Sequence, residues 1–293
     1  MAFHDSELRI IIGISGSGST MVAAREAMWA QTEYGYIPKT RLVGVFSPNP
    51  LASGLVKARQ FKELDPQKDV QVIQKAKDHS TLQQQRYGER MIGFFENHPF
   101  DIFCQYGLSD WTPPNVIDWL QNFGKFGINQ HGACVNPDNY DFGGQWMSCP
   151  QRFHATRLMF VRETGRNFWQ DPVAQRIAKT YDGGRVLRRG RVVIAPSDTV
   201  EGLQDRAIKE ERKVQIATLS DFENNTVCEQ SPYDDLVRVE ERKLLRTVKQ
   251  VARRLYTAEG ELIEVPKLAI IKIDDDLVTE EYAYHLASLL QPS

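Results

Sequence analysis

The segment Leu8-Arg9-Ile10-Ile11-Ile12-Gly13-Ile14 constrains the fold more than any other stretch of the chain. It is apolar, β-branched and too short for a helix, which predicts a strand buried on both faces of a parallel sheet. It runs directly into the glycine loop Ser15-Gly16-Ser17-Gly18-Ser19-Thr20. The helix formers of Met21 to Trp29 come next, and Arg41-Leu42-Val43-Gly44-Val45-Phe46 then reads as a second strand. This β-loop-α-β unit is continued by a helical pattern over 82–95, an extended one over 101–105, a helical one over 115–120 and an extended one over 126–129. Such alternation predicts an α/β fold with a doubly wound, mostly parallel sheet. With 293 residues the chain can bury a full core in one large domain or two smaller ones.

Past Asn129 the pattern changes. A loop rich in Gly, Asn, Asp and Pro over 132–150 precedes Arg152 to Val161, which reads as a strand and would make His154 a satisfied sheet histidine. An irregular stretch over 162–180 leads to Tyr181-Asp182-Gly183-Gly184, followed by the β-rich Arg191-Val192-Val193-Ile194. Asp198 then serves as the acidic cap of a helix reaching about Leu219, with Glu201 three residues later. After a break at Asn224-Asn225, Leu236, Val239, Lys243, Leu244, Val248, Val251 and Leu255 form an imperfect helical stripe that predicts a helix packing on the main body. The expected organisation is a catalytic domain over 1–223 with a C-terminal extension over 224–293 packing on it.

Charge and cysteine usage narrow the function. A formal net charge of -2 lacks the basic excess of a nucleic-acid binder. No apolar run is long enough to cross a bilayer and the first residues do not form a secretory signal, so a cytoplasmic protein without a membrane partner is expected. The cysteines Cys104, Cys134, Cys149 and Cys228 are widely spaced, so neither a disulfide framework nor a metal site is expected. Cys104, inside an apolar stretch, is expected to be a core thiol. Self-association into a homo-oligomer is left open.

Three groups of residues could carry chemistry. The glycine loop lies between a strand and a helix, so its N–H groups and the helix dipole can hold an anion; a tight ligand-free turn has the same sequence. The loop lacks the lysine of a Walker A sequence and the third glycine of a dinucleotide fingerprint, and the second strand ends in Ser47-Pro48-Asn49 without a ribose-binding acid. A phosphomonoester suits it better than NAD. Asn129 and His131 end the last strand of the parallel half, where spacing by two puts both on one face; the amide can stabilise an oxyanion and the imidazole can move a proton. Asp182, in an Asp-Gly-Gly turn, could orient the imidazole and take a proton from an attacking amine, and Asp141 is a rival carboxylate.

Taken together, Ser-Gly-x-Gly-Ser after a strand, the Gly-Val-Phe-Ser strand, Asn-x-His at a strand end and a later Asp-x-Gly resemble the folate-dependent formyltransferases. The resemblance spans about residues 8 to 219 and implies the following roles. Ser15, Gly16, Ser17, Gly18, Ser19 and Thr20 would grip a substrate phosphate, and Asn129, His131 and Asp182 would be the catalytic trio. Leu108, Ser109, Asp110 and Trp111 would hold the folate. Residues 155–161 would match the family strand between the His and the Asp, leaving 163–180 as an insertion. The implied reaction is formyl transfer from 10-formyltetrahydrofolate to the amine of a phosphorylated substrate resembling glycinamide ribonucleotide, through a tetrahedral intermediate. After His131 the family has Pro-Ser and a Leu-Leu-Pro run, whereas this chain has Gly132-Ala133-Cys134-Val135-Asn136. That departure keeps three alternatives open: a sugar-nucleotide N-formyltransferase, a formyltetrahydrofolate hydrolase, and a formyltransferase-fold protein that only binds a phosphorylated ligand.

Overall fold

The computed structural model describes residues 7–75, 80–108, 111–132, 149–180, 183–230, 237–257, 260–263, 271–273 and 276–290. In chain order its elements begin with β1 (Leu8–Gly13), α1 (Ser19–Trp29), β2 (Thr40–Ser47), α2 (Ser53–Ala58), β3 (Val70–Val72), α3 (Thr81–Glu96), β4 (Ile102–Gln105), α4 (Pro114–Asn122) and β5 (Phe126–His131). Then come α5 (Pro150–Thr164), β6 (Phe168–Gln170), β7 (Val173–Arg176), β8 (Val186–Arg189), β9 (Val192–Ile194) and α6 (Val200–Glu223). The chain ends with α7 (Arg242–Leu255), β10 (Ile271–Ile273), β11 (Asp276–Val278) and α8 (Glu280–Ser288). Two compact units result: one from 1–131, 173–190 and 211–232, the other from 132–172, 191–210 and 233–293.

The first unit is the predicted α/β sheet. Its strand order is β3-β2-β1-β4-β5-β7-β8, parallel from β3 through β5 and antiparallel at β7 and β8. The alternation of side chains along β1 decides both faces. Ile10 and Ile12 pack with α1 (Met21, Ala24, Ala27) and the end of α6 (Val214, Leu219, Phe222). Ile11 goes to the opposite face, with Phe46, Phe103 and the α3 and α4 residues Phe94, Phe95, Val116 and Leu120. The chain goes from β1 to β2 on one side while β4 lies on the other, so the carboxyl ends of β1 and β4 flank a topological switch point. Cys104, on β4, is fully buried, and burial pushes its thiol up to about 12, as suits an inert core residue.

Two expectations are overturned. Residues 152–161 are not a strand but the middle of α5, entered through a proline in its first turn and closed by Gly165 in the left-handed region. Every residue from His154 to Val161 is buried, so no polar face marks a helical period; only the proline and glycine at its ends do. Residues 163–180 are not irregular, because β6 and β7 lie there, separated by Asp171-Pro172. The strand beside the His segment in the sheet is β7, hydrogen-bonded antiparallel to β5. A smaller correction concerns α6. Its cap is Thr199, whose Oγ1 accepts from Gly202 N–H at 3.0 Å, while Asp198 accepts from Ala195 N–H and pairs with Arg206.

In the second unit, α5 packs on α7 through Ala155, Leu158, Met159, Leu245, Val248, Val251 and Leu255, with Ala283 and Leu286 of α8 in the same cluster. Of the expected stripe, Val248, Val251 and Leu255 are buried in this core and Leu244 is half-buried against it, whereas Lys243 is exposed and the buried neighbour is Leu245. Val239 precedes α7 on a 3-10 turn and is exposed, and Leu236 lies outside the described residues.

His154 sits on α5 rather than in a sheet, and only 4% of it is exposed. Burial, reinforced by the nearby Arg157 charge and only partly opposed by Gln170, pushes the imidazole down to about 3. Unfolding restores a value near 6.5, so the unfolded chain binds more protons across this window. The contribution of neutral His154 is thus full above about pH 6.5 and declines as pH falls toward about 3. Urea midpoints measured from pH 7 down to pH 4 should fall for the wild type and fall less steeply for His154→Gln; equal slopes would remove His154 as the cause.

Candidate active site

The glycine loop is built by its neighbours. Ile14 N–H closes the end of β1 by donating to Phe46 O at 2.9 Å, and the Ser15 hydroxyl donates to the carbonyl of Gly107, in the turn after β4. Asn49 Nδ2 donates to Ser15 O at 3.3 Å, Gly54 N–H to Gly16 O at 3.0 Å, and Lys57 Nζ to Ser17 O at 3.0 Å. Gly18 has φ +63 and α1 begins at the next residue with no side-chain cap, which leaves its first-turn N–H groups to a ligand. Thr20 is buried, whereas Gly16 and Ser17 are exposed.

Asn49, Gly54 and Lys57 were not singled out from sequence. The requirement at Gly54 is steric: a Cβ there would come within 2.5 Å of Ile14 Cδ1 and 3.0 Å of both Gly16 O and Gly18 N. Gly54→Ala is therefore expected to displace the loop and raise the dissociation constant for a phosphate monoester by about tenfold or more, roughly one charge-assisted hydrogen bond. Unchanged affinity, measured calorimetrically with ribose 5-phosphate, would separate α2 from the loop's function.

At the end of β5 the alternation sorts side chains onto two faces. Asn129 and His131 share one, and Asn129 Nδ2 donates to His131 Nε2 at 3.0 Å, so the ring carries its proton on Nδ1 in this arrangement. Gln130 points to the other face, where its Nε2 donates to Glu211 Oε2 at 2.6 Å. That face is the one covered by α1 and α6. Glu211 is thus a carboxylate at the β5 tip that sequence inspection missed, since a charged pair within a helix reads as solvated surface.

Asp182 and Tyr181 lie outside the described residues, as do Ser109, Asp110, Asp141, Cys134 and Trp146. The backbone just after Asp182 is described and tightly held. Gly183 N–H donates to Thr180 O at 3.0 Å, and Gln175 Nε2 donates to Gly184 O at 2.7 Å. Gln175 is the residue on β7 directly paired with Asn129 on β5, so it ties this turn to the strand position beside the Asn-His pair. Of the remaining candidates, Leu108 is buried in the α3 and α4 face and Trp111 is 37% exposed. The strand position on β4 paired with Asn129 is Gln105, whose Nε2 donates to Thr112 Oγ1 at 2.5 Å. Among the described residues no group of His, Cys, Asp and Glu could hold a metal ion, and no helix is long and apolar enough to cross a membrane.

No protein-family model matches the chain. No curated protein is significantly similar to it in sequence. Solved structures are similar to it in fold. Phosphoribosylglycinamide formyltransferase from Brucella melitensis is 22% identical, with 77% of this chain and 100% of that chain covered at a TM-score of 0.54. The enzyme of the same name from Anaplasma phagocytophilum is 18% identical over 79% of this chain and 98% of that chain, with a TM-score of 0.55. Glycinamide ribonucleotide transformylase 1 from Symbiobacterium toebii is 23% identical over 77% and 92%, with a TM-score of 0.54. At such identities the likeness is one of fold. The mostly parallel seven-stranded sheet with flanking helices is the formyltransferase fold.

Proposed function

We propose that this chain of formyltransferase fold transfers a formyl group from 10-formyltetrahydrofolate to the amine of a phosphorylated substrate resembling glycinamide ribonucleotide. The observation that carries the proposal is the Asn129–His131 pair at the carboxyl end of β5, in hydrogen-bond contact, with Asn129 in register with Gln175. In open α/β sheets this edge is where ligands bind.

The two faces of the β5 tip divide the substrates. On the α1 and α6 face, the glycine loop takes the phosphate and the Glu211 carboxylate lies toward the acceptor. On the opposite face, the apolar Leu108 and the half-exposed Trp111 offer a surface for the pterin, with Ser109 and Asp110 completing the folate segment. The acceptor amine attacks the formyl carbon, forming the new C–N bond as the carbonyl electron pair moves to oxygen. Asn129 turns an N–H from the ring toward that oxyanion, and a ring N–H of His131 supplies a second donor. Asp182 takes the proton lost by the amine. Collapse of the intermediate breaks the bond to folate N10, which takes that proton back from Asp182 and leaves as tetrahydrofolate.

Loss of the formyl group from 10-formyltetrahydrofolate, followed with glycinamide ribonucleotide, with an amino-sugar nucleotide and with water alone, tests the proposal. Turnover should require a phosphorylated amine and drop by about 10²-fold or more in Asp182→Asn, the loss expected of a general base. Turnover with water alone would make the chain a hydrolase. No turnover with any acceptor, together with retained ribose 5-phosphate binding, would leave only a binding protein.

A further inference from the structure

We propose that Lys57 is the charge partner of the anion held by the glycine loop, and that it makes the loop selective for a dianionic phosphate monoester. The proposal rests on the reading of that loop as a phosphate site. Residues 15–20 carry no charge of their own, and α1 has no acidic or basic side chain at its first turn. The helix end supplies about half a positive charge, against the ~1.5 to 2 negative charges of a monoester near neutral pH. Backbone amides alone therefore leave most of that charge uncompensated.

Lys57 is the cation placed to balance it. Its exposed ammonium donates to Ser17 O at 3.0 Å and forms no ion pair among the described residues. Arg25, on the adjoining helix α1, is instead committed to Glu63 through two hydrogen bonds of 2.7 and 2.9 Å. The base of the lysine is fixed relative to the loop, because Gly54 N–H holds Gly16 O from the same short helix. Its four-carbon stem allows the ammonium to leave the Ser17 carbonyl and meet a phosphate oxygen with little backbone movement. The Ser17 contact is then a resting position, and binding exchanges a neutral acceptor for a charged one.

Lys57→Gln separates charge from hydrogen bonding, since the amide can still donate to Ser17 O. Calorimetric titration with ribose 5-phosphate should show Lys57→Gln binding about tenfold more weakly than the wild type and Lys57→Arg within about threefold of it. The melting temperatures of the three unliganded proteins should agree. Affinity of Lys57→Gln within about twofold of the wild type would overturn the role of Lys57 while leaving the phosphate loop intact. An equal loss in Lys57→Arg would also overturn it, by making the contact structural. Failure of the wild type to bind ribose 5-phosphate would instead remove the phosphate reading, and this inference with it.

Discussion

Asn129→Ala is expected to lower kcat for formyl transfer by about 10²–10³-fold, the loss that follows removal of one oxyanion donor. KM for both substrates should change little, because in the proposed mechanism the amide acts only where charge develops. The geometry adds a second expectation. Asn129 Nδ2 also positions the His131 ring through their 3.0 Å contact, so the alanine variant loses a donor and frees the imidazole together. His131→Ala should therefore cost a similar factor, and the double variant should be little worse than either single one, as for residues that act as a unit. Steady-state kinetics on the three variants checks this. Multiplicative losses would mean that the two side chains work independently.

Gly184→Ala should produce the largest loss of stability of any single substitution considered. A Cβ at this position would lie 1.7 Å from the carbonyl oxygen of Arg176 and 2.8 Å from its carbonyl carbon. Both are backbone atoms, so no rotamer change relieves the overlap, and the β7 to β8 connection must open. Arg176 N–H and Gln175 Nε2 would be displaced from Arg185 O and Gly184 O, their partners at 2.8 and 2.7 Å. A cost of about 4 kcal/mol or more places this among the exceptional substitutions, and it corresponds to a melting temperature lower by roughly 8–16 °C. Gly16→Ala is the control. Nothing lies within 4 Å of a Cβ there, so its melting temperature should match the wild type. Equal melting temperatures for the two variants would contradict the described course of the hairpin. Any Gly184→Ala protein that folds should also lose activity if Asp182, two residues upstream in sequence, acts as proposed.

What could be read in the sequence was the part in which local chemistry and tertiary position agree. The run from Ile10 to Ile14 is buried on both faces and says so by being apolar throughout, and the glycine loop after it needs Gly18 at positive φ. The pairing of Asn129 with His131 followed from a period of two, which the strand keeps to its last residue. α5 was misread for the opposite reason: a helix buried all round has no polar stripe, and eight successive buried residues imitate a strand. The true neighbour of β5 is β7, which is only four residues long and carries too little pattern to mark a strand. Gln175, Glu211 and Lys57 escaped notice because a single polar residue on a strand or helix is ordinarily surface. Only the fold brings the first opposite Asn129, the second to Gln130 and the third to Ser17.

If the formyl carbon moves from folate nitrogen to an acceptor amine at the end of β5, as proposed, the carbon itself can be followed. 10-Formyltetrahydrofolate labelled with ¹³C in the formyl group, incubated with the wild-type protein and glycinamide ribonucleotide, should lose its folate resonance and gain that of an N-formyl amide. Asn129→Ala should slow this conversion by the factor given above. Label that stays on the folate, or that appears only as formate, would contradict the account.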